Sequence, residues 1–160
     1  MMGSGKTSVG QVVAQRLGRR FLDSDEQVEA RVGRSVREIF ESDGESAFRR
    51  LEADALAEAL ESREPVIVAA AGGVVLDASN RRLLREQATV VWLRAEPSVL
   101  ATRVRPGDHR PLLAQDPLGV LRRMEADRRE LYAEVADHVV DVGRAPLSEA
   151  VESVLEALGR

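Results

Sequence analysis

The apolar positions of this chain switch repeatedly between helical spacing and short continuous runs, and that alternation maps the elements. Thr7 to Leu17 has helical periodicity and is closed by Gly18, a common stop after a last turn. Arg20 to Asp23 (RFLD) is predicted as a short buried strand, followed by a helix over Asp25 to Arg31. Ser35 and Glu38 have the spacing of a capping box and open a short helix reaching Phe40. A long amphipathic helix is predicted from about Glu45 to Glu61, with Phe48, Leu51, Leu56 and Leu60 on its apolar side.

PVIVAAAGG (65–73) predicts a second buried strand ending in glycines, Asp77 to Glu86 a helix, and TVVWL (89–93) a third, fully apolar strand. Ser98 to Arg103 is a short helix, and the Pro- and Arg-rich VRPGDHRPLL that follows is expected to be a mobile loop, a lid at about 104–115. Asp116 and Pro117 have the order of an N-cap and a first helical residue, HVVDV (138–142) is a last strand, and LSEAVESVLEAL (147–158) is a terminal helix. Continuous apolar strands alternating with helices imply a parallel sheet covered on both faces, hence an α/β fold of three layers in a single domain.

Composition narrows the chemistry. With 160 residues, 44% hydrophobic and 31% charged, the chain is long enough for one globular core, and with 3% aromatics that core is aliphatic. A net charge of -4 argues against nucleic acid or an anionic membrane as the main partner. No apolar run approaches the length of a bilayer span, and a cytoplasmic location is the expectation. The absence of cysteine removes disulfides, thiolate metal sites and cysteine nucleophiles from consideration. Lys6 is the only lysine among 23 basic residues, in a chain that elsewhere uses arginine.

That lysine sits in GSGKT. A phosphate loop needs glycines so that backbone can wrap an anion, a lysine for the outer phosphates, and a hydroxyl for Mg²⁺. Gly3, Gly5, Lys6 and Thr7 supply these in order, directly before a helix whose N-terminus adds positive dipole. A compact ammonium on a flexible stem fits there where a planar guanidinium does not. Asp23 and Asp25, two apart at a predicted strand end, are expected to point the same way. One could hold water on Mg²⁺, and the other could accept a hydrogen bond from a substrate hydroxyl and then its proton. Gly72 and Gly73 end a strand where backbone N–H groups could meet a ligand closely, with a plain turn as the alternative. Arg110 lies in the lid, a natural place for a residue that reaches the γ-phosphate on closure. Arg49–Arg50 and Arg128–Arg129 are paired arginines on helices, a pattern equally at home on a solvated face.

In this order GSGKT, FLDSDE, SVREIFESDGESAFRRLE, AGGVV, HRPLL and RRELY resemble the shikimate kinase family, from Gly3 through Pro146. The resemblance implies an ATP-dependent P-loop kinase fold with a central parallel sheet. It implies ATP contacts from Gly3, Ser4, Gly5, Lys6, Thr7, Ser8, Arg103, Arg110 and Arg144. Thr7 and Asp23 match the Mg²⁺ positions, and Asp25 the residue that binds ring hydroxyls and acts as base. Arg49 and Arg128 match the pair that holds the substrate carboxylate, Gly72 and Gly73 the backbone beside the ring, and Arg110 the lid arginine. Lys6, Asp25 and Arg110 are then the catalytic residues, shikimate and ATP the partners, and a monomer the expected state.

Two departures are visible. Ala71-Gly72-Gly73 stands where the family has three glycines, and the pattern's first glycine would fall one residue ahead of Met1. The strand that leads into that glycine is therefore expected to be the first strand of the fold and to lie ahead of this sequence. The expectation is an upstream extension of roughly ten residues, apolar and ending in glycine. Without it, exposed strand edges should appear beside Pro65 to Ala70. The expected reaction is phosphorylation of the 3-hydroxyl of shikimate in aromatic amino-acid biosynthesis. A small P-loop kinase acting on gluconate or a nucleotide, or a degenerate nucleotide-binding module without catalysis, are the alternatives.

Overall fold

The computed structural model describes residues 1–103 and 116–160. The elements follow the predicted order: α1 (Lys6–Leu17), β1 (Arg20–Asp23), α2 (Ser24–Val32), α3 (Val36–Asp43), α4 (Glu45–Leu60), β2 (Val66–Ala69), α5 (Ala78–Gln87), β3 (Val91–Arg94), α6 (Pro97–Arg103), α7 (Pro117–Val135), β4 (His138–Asp141) and α8 (Leu147–Ala157). The predicted starts and stops have visible causes. Gly18 ends α1 in the left-handed region, and its N–H closes back on the last turn. Ser35 and Glu38 form the full reciprocal capping box of α3. Asp116 caps α7 by accepting from Gly119 N–H at 2.8 Å. The helix at 36 runs to Asp43 rather than stopping at Phe40, and a 3-10 turn at Val74–Leu76 had no counterpart in the apolar pattern. The lid expected at 104–115 lies outside the described residues.

All four described strands are parallel to a neighbour. Arg20–Asp23 lies beside Val66–Ala69 in register, and Val91–Arg94 beside His138–Asp141. Among the described residues the two pairs do not join: β2 bonds only to β1, and β3 only to β4. Between β2 and β3 lies a slot of about 490 Å³, lined by Val9, Val13, Leu56, Ile67, Val91 and Leu93 among others. The break therefore falls where unpaired edges were expected, beside residues 65–70. It also corrects one expectation. The strands were predicted as buried, yet Val66, Ile67, Val68, Val91, Trp92 and Leu93 are only half-buried.

The core lies on either side of that slot. Val13, Leu100, Leu121 and Val151 are almost fully buried, as aliphatic side chains of α1, α6, α7 and α8. A second, smaller cluster of Val28, Ile39, Phe48 and Ala55 fastens α2, α3 and α4 together. It fixes the arm of the molecule that carries Arg49.

Ala71 resolves one of the two departures. Among the described residues none other than glycine has positive φ, so Ala71 has negative φ, and the residue is buried at 7% exposure. Ala71→Gly should therefore lower stability, by about 0.5–1 kcal/mol, because glycine adds unfolded-state freedom and removes a packed methyl. Thermal or denaturant unfolding of the two proteins checks it, and a more stable glycine variant would contradict it.

Candidate active site

The first five residues fold tightly against the start of α1. Ser4 N–H and Ser4 Oγ donate to Met1 O at 3.4 and 2.8 Å, and Lys6 Nζ donates to the same oxygen at 3.3 Å. Gly3 and Gly5 have φ of 74° and 82°, the left-handed region that a Cβ disfavours. Gly5 is the N-cap of α1 and brings no side-chain cap, so the first-turn N–H groups and the positive dipole end present themselves to an anion. Ser4 is buried within the turn, and Ser8 is exposed on the first turn of α1.

Asp23 closes β1 and does two jobs. Its Oδ1 accepts from Asp25 N–H at 3.0 Å, capping α2, while Oδ2 accepts from Thr7 Oγ1 at 2.7 Å. The strand end and the phosphate loop are thereby tied by the two residues assigned to Mg²⁺. Asp25 departs from expectation: it stands in the first turn of α2, so strand alternation does not relate it to Asp23. Between them Ser24 is buried. Its hydroxyl accepts from Ala71 N–H at 2.8 Å and donates to Ala69 O at 3.3 Å. That places the acidic turn directly against the glycine end of β2.

Arg49 reaches the same place from α4. Its guanidinium donates to Glu52 Oε2 at 2.5 Å and to Glu45 Oε1 at 2.9 Å, and Glu52 is only 1% exposed. Burial opposes the charge on Arg49, but Glu52 and then Glu45 outweigh it and hold the pKa above the ordinary arginine value. A Cβ built on Gly73 would meet Arg49 Nη1, so the guanidinium lies directly against this glycine.

From the opposite side α7 contributes Arg128, whose Nη1 donates to Gly72 O at 3.4 Å, and Tyr132, whose hydroxyl donates to the same oxygen at 2.8 Å. Burial raises the Tyr132 pKa, against the lowering influence of Arg128 and Arg49, so the phenol stays a neutral donor. Arg103 completes the ring at the loop. It donates to Gly3 O at 3.4 Å and to Val142 O and Gly143 O at 2.9 Å each. Arg144 is exposed just beyond. Arg110 lies outside the described residues.

The structure thus gathers Lys6, Thr7, Asp23, Asp25, Arg49, Gly72, Gly73 and Arg128 at one edge, with Arg103 beside the loop. Sequence reading missed Ser24, Glu52 and Tyr132. Two of them had a signal: Glu52 is three residues after Arg49 and Tyr132 four after Arg128, spacings that put side chains on one helix face.

Comparison with known proteins identifies the family. A family profile described as shikimate kinase matches residues 2–159. A shikimate kinase of Bordetella pertussis is 46% identical over 99% of this chain and 75% of its own length. One from Symbiobacterium thermophilum is 47% identical over 99% of this chain and 92% of its own. Among solved structures, shikimate kinase from Acinetobacter baumannii in complex with shikimate superposes with a TM-score of 0.93 at 35% identity, covering 98% of this chain and 88% of that one. A gluconokinase from Sinorhizobium meliloti reaches 0.64 at 30% identity, covering 100% and 88%. A family profile over nearly the whole chain and relatives at 46–47% identity show that the chain belongs to the shikimate kinase family.

Proposed function

We propose that the chain transfers the γ-phosphoryl group of ATP to the 3-hydroxyl of shikimate. The observation that carries this reading is the convergence of Arg49 and Arg128 on the Gly72–Gly73 backbone, next to the phosphate loop. Shikimate has one carboxylate and three hydroxyls, and two guanidinium forks with a carboxylate acceptor complement it. Arg49 and Arg128 hold the carboxylate, while Asp25 accepts a hydrogen bond from the reacting hydroxyl. As the hydroxyl oxygen bonds to Pγ, the bond from Pγ to the bridging oxygen breaks, ADP leaves, and the hydroxyl proton passes to Asp25. Lys6 and the N–H groups of Gly5 to Ser8 neutralise charge on the phosphates, a task in which the family resemblance includes Arg110.

Thr7 hydroxyl and Asp23 carboxylate are hard oxygen donors already 2.7 Å apart at the loop, a set that suits Mg²⁺. When bound, the ion would neutralise phosphate charge; Thr7 would hold it directly and Asp23 through water. A cytoplasmic monomer completes the proposal; no helix among the described residues is long and apolar enough to cross a membrane.

ADP release measured with shikimate, gluconate and AMP as acceptors tests the reading. Turnover with shikimate alone is expected, and ATP binding without turnover on any acceptor would select a non-catalytic module. Arg49→Lys should weaken shikimate binding by about 1–3 kcal/mol, because a point charge cannot form the fork, and leave ATP affinity nearly unchanged. Calorimetry with each ligand separately decides it; equal losses for both would mean that Arg49 is structural.

A further inference from the structure

The segment 69–73 makes four hydrogen bonds to side chains from outside it, and they come from two sides. Ser24, at the start of α2, grips its first half: Ala71 N–H donates to Ser24 Oγ, which donates to Ala69 O. Tyr132 and Arg128, on α7, both donate to Gly72 O. The amide N–H groups of Gly72 and Gly73 have no hydrogen-bond acceptor among the described residues, so they are the donors this segment still offers. Neither glycine has positive φ, so the segment is not held by a glycine-only backbone conformation. Its shape is imposed by what grips it.

We propose that Ser24 and Tyr132 are positioning residues for the acceptor substrate, acting through the backbone of 71–73 rather than by touching it. The proposal rests on the shikimate kinase reading above, since it assigns the Gly72 and Gly73 amides to the acceptor ring. Tyr132 has the larger part. It stands four residues after Arg128 on α7, and its ring packs against Trp92 of β3 with centroids 5.4 Å apart. The phenol therefore spans from a strand to the glycine edge and sets α7, with Arg128, at a fixed distance from Gly72. The carboxylate fork and the ring contact are held in one frame. Ser24 does the same for the other partner. It is adjacent to Asp25 in the chain, so the bond to Ala71 fixes the acidic turn relative to the same backbone. Preorganisation of this kind shows in acceptor binding, because a loosened segment must be ordered each time substrate arrives.

Tyr132→Phe keeps the ring against Trp92 and removes one hydroxyl. Tyr132→Phe and Ser24→Ala should each raise hydrogen exchange of the Ala71 amide, the bonded one of 71–73, at least fivefold in the ligand-free protein, with exchange in α8 unchanged. In steady-state assays Tyr132→Phe should raise KM for shikimate roughly five- to tenfold and leave KM for ATP within twofold. Unchanged exchange of the Ala71 amide in Tyr132→Phe overturns the proposal, as does an equal rise in both KM values, which marks a general structural role. If the parent chain fails to phosphorylate shikimate, the proposed function falls, and the acceptor assignment with it. The exchange measurement reports separately whether the two hydroxyls hold the segment.

Discussion

Lys6→Arg is expected to lower turnover about 100-fold or more while leaving the fold intact. The loop is shaped around an ammonium: Lys6 opens α1, and its Nζ already leans over Met1 O at 3.3 Å, inside the turn made by Gly3 and Gly5. A guanidinium is wider, planar and forked, so it either displaces the phosphates or turns outward. Loss of one preorganised charge at a phosphoryl-transfer transition state costs on the order of 3 kcal/mol, which is roughly the stated factor. Lys6 is only half-buried, so thermal unfolding should move little. Single-turnover kinetics at saturating ATP separates the effect from weaker binding. A variant within twofold of the parent would remove Lys6 from the transition state.

Seating a strand in the slot between β2 and β3 should raise the melting temperature by roughly 10 °C. The slot is apolar and about 490 Å³, and each flanking strand has a partner on its far side only. Five apolar residues placed there would bury about 1.5–3 kcal/mol each, or roughly 10 kcal/mol together. Ordering their backbone costs about 1–2 kcal/mol per residue. Ladder hydrogen bonds to both edges, about 1 kcal/mol net each, offset part of that cost. A net gain of some 3–5 kcal/mol remains, and in a domain of this size each kcal/mol moves the midpoint about 2–4 °C. Met1 is 8% exposed and its backbone approaches Gly72, so a strand joined ahead of it, ending in glycine, enters from the right place. Comparing an apolar extension with one carrying two aspartates at inward positions isolates the effect. Equal melting temperatures for the two would show that the slot does not accept a strand.

The same slot explains which parts of the fold were legible in the sequence. Helix limits followed from local chemistry: Gly18, the Ser35–Glu38 box and Asp116–Pro117 act on their own turns, so their effects are readable in order along the chain. Strand direction followed from the alternation of apolar runs with helices. The half-burial of Ile67 and Leu93 did not, because it depends on what lies across from them rather than on the runs themselves. In the site, the motif residues were legible because each has a residue type fixed by its chemistry. Ser24, Glu52 and Tyr132 are supports, and their importance comes from partners 47, 3 and 60 positions away. Glu52 and Tyr132 carry a local signal in their helical spacing from Arg49 and Arg128, and Ser24 carries none. The relation of Asp25 to Asp23 was misjudged by one residue: β1 ends at Asp23, and α2 begins at Ser24.

An arginine-only surface with one lysine in the phosphate loop also makes the molecule its own reporter. Guanidinium groups do not react with amine-directed acylating reagents under mild conditions, and Lys6 has the one side-chain amine in the chain. Fragment ions that place the acyl increment on Lys6, rather than on the α-amine of the same tryptic peptide, therefore count open sites, and nucleotide that covers Nζ slows their appearance. Occupancy of the loop can be titrated in this way without a coupled assay, a fluorophore or a radiolabel.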